Sequence, residues 1–281
     1  MKQKMYLLLL LLQYTNIKAD KIGHEINDCN GVIYDYVYHE REVIKSGLEK
    51  PINLVMHTDS DLLFYSHTVQ NKTELDSQIT SCNMHSKNCE DISMDAGYAI
   101  AYDKGNDDIY FGGDNGIYRY NFLTRDAEYF AEKGKNIWGI FIRKNFYYIQ
   151  YPKQKLYVYQ DDEFQQVAEA IKFEIDYFFI SKKNDIYFAN KTAVFKIEMP
   201  YKRHFMLNDR INIRQIVEDS LSQLYFLADN GIYVEEKHDL KNIAKLNNAY
   251  GLAFDEDDNV IYSDEKHIYK LIASANTNCI K

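Results

Sequence analysis

The sequence predicts an all-β protein, a six-bladed β-propeller whose N-terminal strand completes the last blade. Three observations carry this. First, Ile109-Tyr-Phe-Gly-Gly-Asp-Asn-Gly-Ile-Tyr118 and Leu224-Tyr-Phe-Leu-Ala-Asp-Asn-Gly-Ile-Tyr233 end in the same five residues. Each sets an Asn-Gly pair between two apolar runs, a strong hairpin signal because both residues tolerate positive φ. Second, the unit recurs: aligned on an aromatic residue, it returns at Phe64, Tyr110, Tyr147, Tyr187, Tyr225 and Tyr262, at spacings of 46, 37, 40, 38 and 37 residues. Third, each unit has room for four short strands. An apolar inner strand (Tyr98–Asp103, Trp138–Arg143, Tyr250–Asp255) precedes the hairpin, and a more polar strand such as Asp126–Phe130 follows it. Four strands per repeat of about 40 residues is the pattern of a propeller blade.

The chain begins with an address. Met1-Lys-Gln-Lys4 is basic, and Met5–Leu12 is apolar with six consecutive leucines. That run is too short to span a bilayer, which takes roughly 20 apolar residues. A positive segment before a short apolar one reads as a cleavable secretory signal, 1–19, ending at Ala19. Residues 20–281 then form a single propeller domain, with no Pro- or Ser-rich linker and only three prolines in the chain. The formal charge of −9 argues against nucleic acid or an anionic membrane as partner, since both favour basic patches. Glu163–Lys172 has some helical character, but its place in the repeat suggests an outer strand or loop.

Four cysteines, Cys29, Cys82, Cys89 and Cys279, are an even count in a chain with a secretory leader, which favours disulfides. Cys82 and Cys89 flank a polar loop in the first unit and can staple one hairpin. Cys29 and Cys279 lie at opposite chain ends, which a closed ring brings together. The last unit, 249–272, supplies three strands and then runs out of chain. Arg41-Glu-Val-Ile-Lys45 alternates polar and apolar residues like an outer strand, so it is expected to complete that blade and remove the free edges. Asn71-Lys-Thr73 and Asn190-Lys-Thr192 are sequons for N-glycosylation.

Catalytic motifs are missing: there is no Gly-x-Ser-x-Gly, no phosphate-cradling glycine loop and no His-Glu-x-x-His. The eight histidines lack metal-ligand spacing. Propellers can hold calcium in the axial channel, and Asn53, Asn136, Asp176, Asn212 and Asn248 all fall near the starts of inner strands. Turn capping is the ordinary role of Asn and Asp there. The 40 Tyr and Phe residues mostly suit packing between blades. One set is a candidate site. Repeat alignment places Ile52, Tyr98, Trp138, Asp176, Ile213 and Tyr250 at one position at the entrance of the inner strands, with Tyr177 and Arg214 next in their repeats. Tyr98, Trp138 and Tyr250 would gather at the channel mouth, where a planar aromatic ligand could stack, with Arg214 beside it for a carboxylate and Asp176 for an amine.

Asp28-Cys-Asn-Gly-Val-Ile-Tyr34, Val43-Ile-Lys-Ser46, Lys50-Pro51, Ile109–Tyr120, Ala127-Glu-Tyr-Phe130 and Ile137-Trp138 resemble the ommochrome-binding proteins of moths and butterflies. The resemblance implies a monomer secreted into haemolymph. It would carry a small aromatic pigment, a tryptophan-derived phenoxazinone, without turning it over, and it would need no further cofactor. It transfers no binding residue, so the candidate site rests on the repeats alone. Gly251-Leu-Ala-Phe-Asp255 also occurs in propeller lactonases. A calcium-dependent lactonase or esterase, or a protein-binding propeller, stays open as an alternative.

Overall fold

The computed structural model describes residues 29–70, 75–275 and 279. The expected leader, 1–19, and the sequon at Asn71 lie outside the described residues. The described residues open with the hairpin β1 (Val32–Tyr34) and β2 (Val37–Ser46). A first four-stranded sheet follows, of β3 (Ile52–His57), β4 (Leu62–Gln70), β5 (Leu75–Asn83) and β6 (Cys89–Asp91). The second holds β7 (Gly97–Asp103), β8 (Asp108–Gly113), β9 (Gly116–Asn121) and β10 (Asp126–Ala131). The third holds β11 (Asn136–Arg143), β12 (Asn145–Tyr151), β13 (Lys155–Gln160) and β14 (Glu163–Gln166), and the fourth β15 (Tyr177–Ile180), β16 (Ile186–Ala189), β17 (Val194–Glu198) and β18 (Arg203–Asn208). Next come β19 (Ile213–Glu218), β20 (Leu224–Ala228), β21 (Gly231–Glu236) and β22 (Asp239–Lys245). The last three strands are β23 (Gly251–Phe254), β24 (Val260–Ser263) and β25 (His267–Ala273).

These seven strands join β1 and β2 in one nine-stranded sheet, ordered β19-β20-β21-β22-β1-β2-β25-β24-β23. The N-terminal strand therefore closes the last unit as the sequence predicts: β2 pairs antiparallel with β25, from His39 opposite Ala273 to Ser46 opposite His267. Strand β1 bridges to β22 through Tyr34 and Ala244. The two expected disulfides form, Cys29–Cys279 across 250 residues and Cys82–Cys89 across seven. Closing so long a loop restricts the unfolded chain and stabilises the fold by about 2–4 kcal/mol. The ambiguous stretch 163–172 resolves into outer strand β14 followed by one 3-10 turn, Ala168–Ala170.

The duplicated hairpins turn on their Asp-Asn pairs. Gly113 pairs with Gly116 and Ala228 with Gly231, so the two-residue turns are Asp114-Asn115 and Asp229-Asn230, and the glycine is the first residue of the next strand. Its φ is +127° at Gly116 and +154° at Gly231. A Cβ at Gly231 would meet the Ala244 carbonyl oxygen at 2.2 Å, and one at Gly116 the Ala131 carbonyl oxygen at 2.7 Å. Glycine is required there so that the outer strand can approach.

Between neighbouring sheets the repeated aromatics are buried. Phe111 and Phe226, equivalent in the two verbatim repeats, are both fully enclosed, as are Phe64 and Phe188. Each such side chain contributes about 1.5–3 kcal/mol of burial. The inner strands β3, β7, β11, β15, β19 and β23 contact one another in turn, and β23 returns to β3. They surround an axial channel.

Candidate ligand-binding site

The channel holds a cavity of about 590 Å³. Its wall is mainly aromatic and aliphatic: Phe141, Phe178, Phe179, Phe254, Ile140 and Ile216 face it. Runs of consecutive residues border it, among them 99–105 and 138–144, because the edge of each inner strand faces the axis, and β-branched and aromatic residues suit these strands because they fit a pleated surface. Buried Gln215 ties three inner strands together, donating to the Leu54 carbonyl at 2.9 Å and accepting from the Leu252 amide at 2.9 Å.

Of the six ligand residues expected from the repeats, Trp138, Asp176 and Tyr177 line this cavity. Tyr98, Arg214 and Tyr250 are not among the lining residues, and each is held by a neighbour. The Tyr98 hydroxyl donates to Asp114 at 2.7 Å, and Asn136 donates to the same carboxylate oxygen at 2.5 Å. Arg214 donates to the Ala249 carbonyl at 2.7 Å, and its guanidinium lies over the Tyr250 ring at 4.1 Å. Trp138 is 40% exposed and stacks on Tyr151, with centroids 4.4 Å apart and planes at 11°. Its centroid is 6.4 Å from that of Tyr98.

The repeat alignment slips by one residue in places. Register shifts fall between Gly97 and Ala99, Ile137 and Gly139, and Ile213 and Gln215. Tyr98, Trp138 and Arg214 are therefore equivalent bulged residues. Ile213, placed in their ring by the alignment, is instead buried at 2% exposure. The fourth unit has no such bulge, and Tyr177 pairs directly with Ala189. The five residues weighed for calcium also separate. Asn53 and Asp176 line the cavity, Asn136 is bound to Asp114, and Asn212 and Asn248 are exposed. Asn53 donates to the Tyr98 carbonyl at 2.7 Å. Burial raises the Asp176 carboxyl, with Lys191 and a hydrogen bond from Gln154 opposing. Burial likewise raises the Tyr177 phenol, with Asp176 adding and Arg214 opposing.

Sequence reasoning missed the other end of the cavity. There Arg143, last residue of β11, forms an ion pair with Glu218, last residue of β19. The guanidinium lies 5.6 Å from the ring centroids of both Phe141 and Phe179. Arg143 Nε and Glu218 Oε2 are buried without partners. Lys104, Lys144 and Lys182 line the same cavity from turns after β7, β11 and β15. A signal was present, since Ile-Phe-Ile-Arg143 and Ile-Val-Glu218 each end an apolar strand on a charge. Nothing local paired the two.

No protein-family model matches the chain. Among solved structures, a gluconolactonase of Xanthomonas campestris superposes with a TM-score of 0.68 at 11% identity, covering 88% of this chain and 96% of its own. The WD40 β-propeller domain of Doa1 superposes with a TM-score of 0.54 at 8% identity, covering 90% of this chain and all of its own. Both likenesses show a propeller-like, all-β fold. The ommochrome-binding protein of Manduca sexta is 29% identical over 245 residues, 83% of this chain and 86% of the relative. The resemblance read from the sequence motifs is thereby borne out: the chain is similar to the ommochrome-binding protein of Manduca sexta over most of its length.

Proposed function

We propose that the protein is a secreted, monomeric carrier that holds an ommochrome-type phenoxazinone in its axial cavity and releases it chemically unchanged. One observation carries this: a chain similar to the ommochrome-binding protein encloses an aromatic-walled cavity of about 590 Å³. That volume lies within the roughly 300–1,000 Å³ of small-molecule sites. Trp138, Asp176 and Tyr177 bound one end of the ligand's space, and Arg143 with Glu218 the other. Splitting the nine-stranded sheet at β1 leaves two runs of four strands, so we count six blades in one domain, 20–281. The leader-like 1–19 and the two disulfides support secretion into haemolymph, with Asn71 and Asn190 as acceptors for glycans. Among the described residues no helix is long and apolar enough to cross a membrane.

Binding to 2-aminophenoxazin-3-one and its 1,9-dicarboxylic acid tests the proposal. The visible absorption band should co-migrate with the protein in gel filtration, emission from the sole tryptophan should be quenched, and the pigment should be recovered unaltered by mass spectrometry. Failure of both compounds to bind would remove the carrier reading. The second reading, a calcium-dependent lactonase, draws on the fold likeness to the gluconolactonase. Calcium-dependent hydrolysis of a lactone by the purified protein would favour it.

A further inference from the structure

Four cationic side chains line the cavity, Arg143 and the lysines Lys104, Lys144 and Lys182. The three lysines are exposed, at the mouth of the cavity, while Arg143 lies deeper, 18% exposed. Elsewhere in this acidic chain many cations are paired, for example Lys196 with Glu235, Lys270 with Asp255 and Lys202 with Glu169. Lys104, Lys144 and Lys182 make no ion pair or hydrogen bond among the described residues. The carboxylates beside them are already engaged. Asp103 accepts from the Gly105 amide at 2.9 Å and from Asn106 at 2.8 Å. Asp219 accepts from the Gln223 amide at 2.8 Å and the Tyr225 hydroxyl at 3.0 Å. Glu218 is bound to Arg143 through Oε1, which leaves Glu218 Oε2 a buried acceptor and Arg143 Nε a buried donor, each without a partner. A buried polar group left unpaired is costly, and a cavity that leaves one in place favours an occupant that satisfies it. Three successive inner strands thus deliver positive charge without an ion-pair partner to one end of a cavity that Asp103, Glu218 and Asp219, all hydrogen-bonded or ion-paired, also line.

We infer that this end is an anion subsite that selects planar aromatic ligands carrying a carboxylate: the rings lie against Phe141 and Phe179, and the carboxylate is held by Lys144 and Lys182 with Arg143 behind them. Arginine and lysine bind carboxylates by charge-assisted hydrogen bonds, which are roughly twice as strong as neutral ones. The inference rests on the carrier reading and deepens it. It also moves carboxylate recognition from Arg214, which is occupied by Tyr250 and the Ala249 carbonyl, to the opposite end of the channel.

The test compares two probes by isothermal titration calorimetry, uncharged 2-aminophenoxazin-3-one and its 1,9-dicarboxylic acid. The wild-type protein should bind the dicarboxylate at least tenfold more tightly, and the advantage should shrink as salt is raised. Lys144→Met combined with Lys182→Met changes two side chains at the channel end and should remove at least fivefold of that advantage, with the uncharged probe reporting that the cavity is intact. Arg143→Met also removes the partner of Glu218 and can fail to fold, so the lysine pair decides. Equal affinity for the two probes, or an advantage unaltered in the double variant, would overturn the anion subsite and leave the carrier reading standing. Absence of binding by either probe would overturn both.

Discussion

The two ends of the axial channel use similar residues in opposite ways. At the tryptophan end most polar side chains are engaged with one another, with Asn136 Oδ1 alone among these residues buried without a partner. Tyr98 and Asn136 share Asp114, Gln154 donates to Asp176, and Arg214 is clamped between Tyr250 and the Ala249 carbonyl. At the lysine end three exposed ammonium groups lack partners among the described residues, and the Arg143–Glu218 pair leaves one atom of each residue unbonded. Residue type alone does not distinguish these ends, since each has an arginine, a carboxylate and aromatic rings. What separates them is whether the polar capacity is already satisfied inside the fold.

The largest expected effect follows from breaking the ion pair. Arg143 and Glu218 side chains are 18% and 12% exposed, so Glu218→Ala leaves a largely buried guanidinium without its counter-charge. Denaturant unfolding should show a loss of about 3–5 kcal/mol, whereas Arg143→Met with Glu218→Met should recover most of it, because replacing both partners of a buried pair is often neutral. A small loss in the single variant would mean that solvent reaches the pair freely and that the lysine end is not a closed subsite.

Trp138→Ala probes the other end. The ring lines the cavity and is 40% exposed, so truncation should weaken phenoxazinone binding by roughly tenfold, or about 1.4 kcal/mol. Loss of the Tyr151 stack should lower stability by only about 0.5–1.5 kcal/mol, and Trp138→Phe should restore part of the affinity. Unchanged affinity with the larger stability loss of a core tryptophan, about 3–5 kcal/mol, would make Trp138 a packing residue. Arg214→Met should do less. Its guanidinium is engaged, so calorimetry should find affinity for the dicarboxylate within twofold of wild type, with a stability loss of about 0.5–1 kcal/mol from the lost cation–π contact.

The smallest effect is one of pH. Burial raises the Asp176 carboxyl above its ordinary value, so the folded protein holds that proton more tightly than the unfolded chain. Its contribution to stability is complete below the ordinary carboxylate pKa and declines as pH rises through the raised value. Asp176→Asn removes that titration. Melting temperatures of the variant and wild type should therefore run parallel at the acid end and separate in the variant's favour as pH rises past the carboxylate range. A gap that widens in the other direction would mean that the ionised carboxylate is the better-solvated form.

Much of this molecule was written locally. Alternating apolar residues and two-residue turns recur along the chain, so strand order and repeat length could be read directly. Three strands in the last unit implied the partnership of β2 with β25, and the cysteines at both ends implied the bond that secures it. Tertiary structure alone decided which residues meet at the axis. A one-residue bulge in four inner strands, β3, β7, β11 and β19, and its absence in β15, moved Ile213 into the core and put Arg214 in register with Trp138. Such a shift leaves composition and period unchanged yet turns a side chain to the opposite face. The pairing of Arg143 with Glu218 had no local signature, because 75 residues separate them and only the curvature of the ring brings two strand ends to one cavity. The sequence by itself determined the repeating sheets and their closure, since those depend on short-range patterns. The ligand end of the channel was decided by long-range juxtaposition, where charge left unpaired by the fold becomes available to a guest.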